Sequence, residues 1–298
     1  MNICLKKSLS TFAMAALFVI RCAQAETGSL IPRSAVYVGL GGSYNTINFA
    51  NQSTYGKGTS YQPWSISDPF GGPVTGSAAG STGVNLPTQS QVTPSVQVGF
   101  FTHFADSKWM WGGKLSYSYL SSSSAKKNQL IPQSGGFYQD GIYTPFNGNY
   151  VVRSYEQAIN HQFTLIPIVG RSFERSQVYF GIGPTYSQTK TSINNITGFA
   201  DIIGIPTSVT GIGNGSYYSS TQWVFGGAAV VGLTYFLDQK WFLDFSYSAT
   251  MTKNNMTSWG GPWANTMTDG ASLTGTNQGT SSGKIMNQAL SIMLNKAF

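Results

Sequence analysis

The sequence of 298 residues is short of charge: Asp, Glu, Lys and Arg together make up 9% of it, against roughly 25% in ordinary soluble domains. It also lacks long apolar runs after its first 25 residues. A membrane-spanning helix needs about 20 apolar residues in succession, so helical transporters and receptors are excluded. Cysteine is confined to Cys4 and Cys22, and the chain holds only two histidines. That inventory removes a zinc site of the usual Cys/His kind, and no metal or other cofactor is expected. Basic clusters are missing too, apart from Lys126-Lys127, which leaves nucleic acid without support as a partner. In place of charge stand Gly, Ser, Thr, Asn and Gln, with aromatics at 14%. Disordered chains are poor in aromatic and β-branched residues, so disorder is excluded as well.

Residues 1–25 read as a cleavable secretory signal. Lys6 and Lys7 open it, Thr11 to Ile20 supply the apolar stretch, and Ala23-Gln24-Ala25 is a small-x-small cleavage site. Both cysteines fall inside it. A lipoprotein signal would need a small residue before Cys22, where Arg21 stands. Removing the segment takes Lys+Arg from 17 to 14 and the net charge from +7 to +4. The expectation is an exported chain, residues 26–298, that is only mildly basic.

Along that chain, period-two alternation recurs eight times. Val36, Val38 and Leu40 mark the first strand; Val96, Val98 and Phe100 the second; Trp109, Trp111, Leu115, Tyr117 and Tyr119 the third. Phe163, Leu165, Pro167 and Val169 follow, then Val178, Phe180 and Ile182. Next come Trp223, Phe225, Val231, Leu233 and Tyr235, then Trp241, Leu243, Phe245 and Tyr247, and last Leu290, Ile292, Leu294 and Phe298. Three connections are tight: 105–108, 173–176 and 237–240. Four are long and polar: 47–91, 121–152, 190–219 and 253–283. Two tight turns are near copies, Phe104-Ala-Asp-Ser-Lys-Trp109 and Phe236-Leu-Asp-Gln-Lys-Trp241.

A soluble sandwich and a membrane barrel both accommodate eight such strands. The faces opposite the apolar ones carry Gly, Ser, Thr, Gln and Asn, which suits a barrel with lipid outside and a polar interior. Spans of about 10–14 residues also suit a tilted crossing of a bilayer. The expectation is all-β: a closed antiparallel transmembrane β-barrel of eight strands, with short periplasmic turns and four long extracellular loops. Trp109, Trp111, Tyr235 and Trp241 beside the tight turns form an aromatic girdle in this reading, and Lys296 snorkels to it.

The signal, the eight strands, the short turns and the last strand Gln288-Ala-Leu-Ser-Ile-Met-Leu-Asn-Lys-Ala-Phe298 resemble the small outer-membrane β-barrels: OmpA membrane domains, OmpX and opacity-type proteins. The resemblance implies the outer membrane of a Gram-negative bacterium, with outer-membrane lipid and lipopolysaccharide around the barrel. It also implies that the terminal Phe298 is the assembly signal read by the barrel-assembly machinery. The long loops depart from the family pattern.

Three groups of residues are candidate sites. Pairing across the turns sets Lys114 opposite Gly99 and Asp244 opposite Gly232, both inward and on opposite walls. The two charges either join in an interior polar network or are each solvated by trapped water. Pro167 and Pro184 face one another across a turn, which predicts a bulge or local opening. His161, on the face of Phe163 and Leu165, resembles the lipid-facing histidine of barrel enzymes that trim or acylate lipid A. Glu156 faces the other way, so no orienting carboxylate accompanies it. His103, beside a periplasmic turn, is structural. The runs Gly39-Leu-Gly-Gly42 and Gly211-Ile-Gly-Asn-Gly215 are not phosphate cradles, for no helix follows them.

An eight-stranded barrel is just wide enough for side chains to fill. The loops carry Tyr55, Tyr61, Trp64, Tyr138, Tyr143, Tyr217, Tyr218, Trp259 and Trp263. Such aromatics suit contact with a host surface, a carbohydrate or another protein, or pack among themselves as a seal. The reading is a non-catalytic outer-membrane protein with a structural or adhesin-like role. A narrow porin-like channel and a lipid A-modifying enzyme acting through His161 are the alternatives.

Overall fold

The computed structural model describes residues 30–63, 73–202, 205–208, 217–266 and 272–298. The signal segment, Trp64 and the Gly211–Gly215 run lie outside the described residues. Every regular element within them is a strand: β1 (Ser34–Gln62), β2 (Val74–Val84), β3 (Gln89–His103), β4 (Trp109–Gln139), β5 (Ile142–Ser172), β6 (Ser176–Ile202), β7 (Ile205–Ser208), β8 (Tyr217–Phe236), β9 (Trp241–Thr252), β10 (Asn255–Thr266) and β11 (Ser272–Ala297).

All pairings are antiparallel. β1 pairs β3, the ladder runs on through β4, β5, β6, β8, β9 and β11, and β11 pairs back onto β1. The result is a ring of eight paired strands. The three short turns define its lower end. Two places in the ring are shared. β3 lies against the lower part of β1 and β2 against the upper part. β11 likewise pairs β9 below and β10 above.

In the lower half the outward face is apolar and the inward face largely polar. Leu40 is 67% and Ile182 71% exposed, while Asn45 and Ser187 are buried. Water drives apolar side chains the other way, so this belt is built to meet an apolar medium. Aromatics bound it. Trp109, Tyr235 and Trp241 stand at the lower edge, Tyr119, Tyr186 and Trp223 at the upper. Above the belt, bulges shift the phase. Asn51 and Ser121 adopt positive φ where β1 and β4 slip register against their partners, as an extra strand residue requires.

Three expectations change, and a fourth is borne out. First, the polar connections are not simply loops. The stretch 121–152 is paired from Ser122↔Ile159 up to Gln139↔Ile142, closing on Asp140 and Gly141 at φ 48° and 80°, a two-residue turn of the primed kind. β2, β10 and the upper parts of β1, β6, β8 and β11 extend the wall in the same way, so strands run to 31 residues.

Second, the interior is not uniformly polar. Three apolar clusters are stacked in it: Tyr37, Phe101, Met110, Phe236 and Phe242 low down, Ile47, Phe49, Leu120, Ile159 and Ile285 in the middle, and Ile131, Tyr150, Val152, Tyr155 and Trp259 above.

Third, Asp244 lies opposite Thr234, not Gly232. The Asp238 carboxylate accepts the amides of Lys240 and Trp241, which widens that turn and makes Phe236 and Phe242 the closing pair. The two turns that look alike in sequence therefore differ by a residue.

Fourth, the ladder is interrupted between Thr164↔Thr185 and Ile168↔Gly181 around the two prolines, with no change of register. This is an opening rather than a bulge.

Candidate functional site

Lys114 of β4 and Asp244 of β9 stand on opposite walls of the ring, and their side chains meet inside it. Nζ lies 3.1 Å from Oδ2. Both are buried, as an ion pair inside a protein is only when other donors complete it. Here the Tyr179 hydroxyl donates to Asp244 Oδ1 at 2.7 Å and receives Lys114 Nζ at 2.8 Å. Gln97 Nε2 donates to Asp244 Oδ2 at 3.0 Å and to Asn295 Oδ1 at 2.7 Å. Lys114 Nζ also sits 5.1 Å from the centre of the Tyr179 ring.

Sequence reasoning missed Tyr179, Tyr37, Gln97 and Asn295. The signal was in the glycines. A Cβ on Gly99 would strike the Tyr37 hydroxyl and one on Gly232 the Tyr179 ring, so the space beside the charges houses tyrosines.

Higher up, a second layer crosses the ring. Asn287 donates to Asn45 at 2.9 Å and Gln162 to Ser187 at 3.1 Å and Thr250 at 3.2 Å. Higher again, the Tyr150 hydroxyl of β5 donates to Asn277 Oδ1 of β11 at 3.1 Å. Gly58 makes room for that phenol, since a Cβ there would clash with its hydroxyl. Burial pushes the Tyr150 and Tyr155 phenols above their ordinary pKa values, because a phenolate loses its hydration there.

His161 lies on the outward face at the upper edge of the belt. Its Nδ1 is 2.9 Å from the Tyr117 hydroxyl, and Tyr119 and Trp223 stand 5.2 and 6.3 Å from its ring. Trp223 stacks in turn on Tyr186 at 4.9 Å. The imidazole thus sits in an aromatic cluster with a phenol as its polar partner. His103 is tied to the lower end, with Nδ1 2.9 Å from the Arg33 carbonyl and Nε2 2.5 Å from the Ser172 hydroxyl.

Phe298 ends the last strand against β1: its N–H donates to the Val36 carbonyl at 2.8 Å. The ring is exposed, and Lys296 Nζ lies 5.4 Å from its centre and 5.7 Å from that of the Trp241 ring.

Among the described residues the upper wall is not paired throughout. Between β8 and β10 lies a cavity of about 630 Å³, bordered by Tyr217, Tyr218, Trp259, Pro262 and Gln278 among others.

No protein-family model matches the sequence, and no curated protein matches it. Among solved structures the chain is similar to the outer membrane protein OprG from Pseudomonas aeruginosa, at 11% identity and a TM-score of 0.36, over 91% of this chain and 99% of that one. It is similar to Ail, the attachment invasion locus protein of Yersinia pestis, at 12% identity and a TM-score of 0.24, over 82% and 98%. It is similar to Neisserial surface protein A at 10% identity and a TM-score of 0.29, over 86% and 97%. These similar structures are small outer-membrane β-barrels, the group that the strand pattern and the terminal Phe298 resemble.

Proposed function

We propose that the chain is an outer-membrane β-barrel with a closed lumen, acting at the outer surface in a structural or adhesin-like role without catalysis. The observation that carries this reading is the bridging of the interior by direct side-chain bonds at separate levels, Lys114–Asp244 below and Tyr150–Asn277 above. Between them lie the polar layer of Asn45, Gln162 and Asn287 and the apolar cluster around Ile47, Leu120 and Ile159, while the other two apolar clusters lie about the lower and the upper bridge. A conducting lumen needs a continuous wetted path, and side chains in mutual contact across the ring occupy that path. In this reading the exposed apolar belt faces outer-membrane lipid and lipopolysaccharide, Phe298 is the signal read by the assembly machinery, and His161 is a rim residue. Export follows from the signal in residues 1–25. The upper wall, rich in Ser, Thr, Asn and aromatics, is the surface offered to the outside.

The test is a planar-bilayer recording on refolded protein, with a heat-shift gel to establish folding. A folded barrel is expected to be electrically silent. Discrete, reproducible openings would overturn the closed-lumen reading in favour of transport. Cells displaying the barrel are further expected to bind host cells or matrix. Trimming residues 129–152, which are paired from Gln129↔Val152 upward, is expected to weaken that binding; binding unchanged by the trimming would count against a surface role for this hairpin.

A further inference from the structure

The opening between β8 and β10 is a gap in the upper wall among the described residues, and its chemistry is selective. Residues 217–225 of β8 pair with β6 on one side only, because β9 joins β8 from Gly226 downward. β10 pairs with β11 alone among the described residues. The two edges face one another across the cavity with no backbone ladder between them, and at its lower end Gln222 of β8 donates Nε2 to the Met256 carbonyl and the Thr257 hydroxyl of β10. Its floor is aromatic. Tyr218 points inward from β8 with its ring 5.9 Å from that of Trp259, and a Cβ on Gly261 would lie 3.3 Å from the Tyr218 hydroxyl, so the ring reaches across to β10. Tyr217 stands exposed at the rim. Ser219, Ser258 and Gln278 bring hydroxyls and an amide to the border beside Ile193 and Pro262, and no bordering residue carries a charge. The Trp259 indole N–H is buried without a hydrogen-bond partner.

A free strand edge commonly recruits another strand. This one is blunted against it. Thr276, opposite Pro262, donates its N–H to the Thr59 hydroxyl on the other side. Opposed residues of an antiparallel ladder turn their amides both toward or both away from each other, so Pro262 faces the opening with a carbonyl and no N–H. Gly260, two residues earlier on the same edge, breaks the extended line at φ 153°. A peptide strand would find neither a regular run of donors nor a straight edge.

A sugar needs neither. Its C–H face lies on an aromatic ring, and its hydroxyls donate to lone carbonyls while accepting from Ser, Thr and amide groups. An uncharged border selects an uncharged ligand. We propose that this opening binds a neutral oligosaccharide, an inference that rests on the surface-interaction reading and names its ligand class.

The experiment uses the refolded full chain in detergent micelles, with maltohexaose, chitotetraose and lacto-N-tetraose as probes and sialyllactose as the charged comparison. Binding is read by saturation-transfer NMR and calorimetry. At least one neutral probe is expected to bind in preference to sialyllactose. Tyr217→Ala and Ser258→Trp, both at exposed rim positions, are each expected to weaken it about tenfold with an unchanged heat shift, and Tyr217→Phe is expected to restore it. Binding by none of the three, preference for sialyllactose, or binding that either rim variant leaves unchanged overturns the proposal. Such a failure does not alter the bilayer recording or the cell-surface binding of the whole protein, so failure of the surface-interaction reading is scored separately.

Discussion

Lys114 and Asp244 are separated by 130 positions in the chain and meet at 3.1 Å across the interior of the ring, with Tyr179 hydrogen-bonded to both. The three groups answer one another: the ammonium donates, the carboxylate accepts, and the phenol does each. Gln97 fills a further acceptor site on the carboxylate.

Removing one charge of this pair strands the other in a buried site, at a cost of about 3–5 kcal/mol. Asp244→Asn and Lys114→Met are each expected to lose that much, measured by urea unfolding in micelles. The double variant Lys114→Met/Asp244→Leu is expected to recover much of the loss, since a packed apolar pair avoids the desolvation. Single variants as mild as exposed substitutions would show that the pair is solvated rather than coupled.

The turn at Asp140-Gly141 carries a prediction for the hairpin above the belt. Both residues hold positive φ, which a β-branched side chain tolerates poorly. Gly141→Val is expected to destabilise the hairpin tip by about 1–2 kcal/mol and to expose it to limited proteolysis. The heat shift of the whole chain is expected to stay the same, because the ring below does not depend on this turn. Equal protease resistance would mean that the tip contributes no local order.

The eight-place ring was legible because period-two alternation is strong wherever one face is apolar, as in Val178-Tyr-Phe-Gly-Ile182. Lys114 opposite Gly99 was legible too, since the turn before it closes tightly from Phe104 to Trp109. Asp244 was misplaced by two positions on the partner strand because a side chain, Asp238, reshapes its turn, and spacing alone does not show that. The upper strands were invisible for a different reason. In Ser121-Ser-Ser-Ser124 and Gly279-Thr-Ser-Ser-Gly283 both faces are polar or small, so alternation vanishes although pairing continues. Bulges at Asn51 and Ser121 then shift the phase and erase what periodicity remains. The Asp140-Gly141 dipeptide was the one local cue to a paired hairpin in that region. Apolar residues inside the upper wall, such as Ile131 and Val152, stand directly beside apolar residues of the other face, Leu130 and Val151, so no alternation marks them.

His161 offers a prediction about chemistry. Its imidazole is placed among Tyr117, Tyr119 and Trp223, with the Tyr117 hydroxyl on Nδ1. A general base gains strength from an orienting carboxylate, and a phenol supplies none of that charge. His161→Ala in a producing strain is therefore expected to leave the lipid A mass spectrum unchanged. A lost or shifted lipid A species would assign the residue a chemical role after all.

The upper interior predicts how the protein responds to alkali. Burial raises the Tyr150 phenol above its ordinary value, which is about 10. In the unfolded chain that phenol ionises from about pH 10, whereas in the folded chain it keeps its proton. Below that pH both states are protonated and the contribution to stability is fully present. Above it the unfolded state sheds a proton that the folded state retains, and stability falls by about 1.4 kcal/mol per pH unit per such group. Tyr155, raised by the same desolvation, adds to the slope. Tyr150→Phe leaves Asn277 Oδ1 without its donor and is expected to cost about 1 kcal/mol near neutral pH. It is also expected to remove one group's share of the alkaline slope, so that the variant and parent stabilities converge as the pH rises. Urea midpoints measured in micelles between about pH 8 and 11 check both parts. Two parallel curves would mean that water reaches Tyr150 in the folded state, and the upper bridge across the ring would then not be the dry contact that its burial describes.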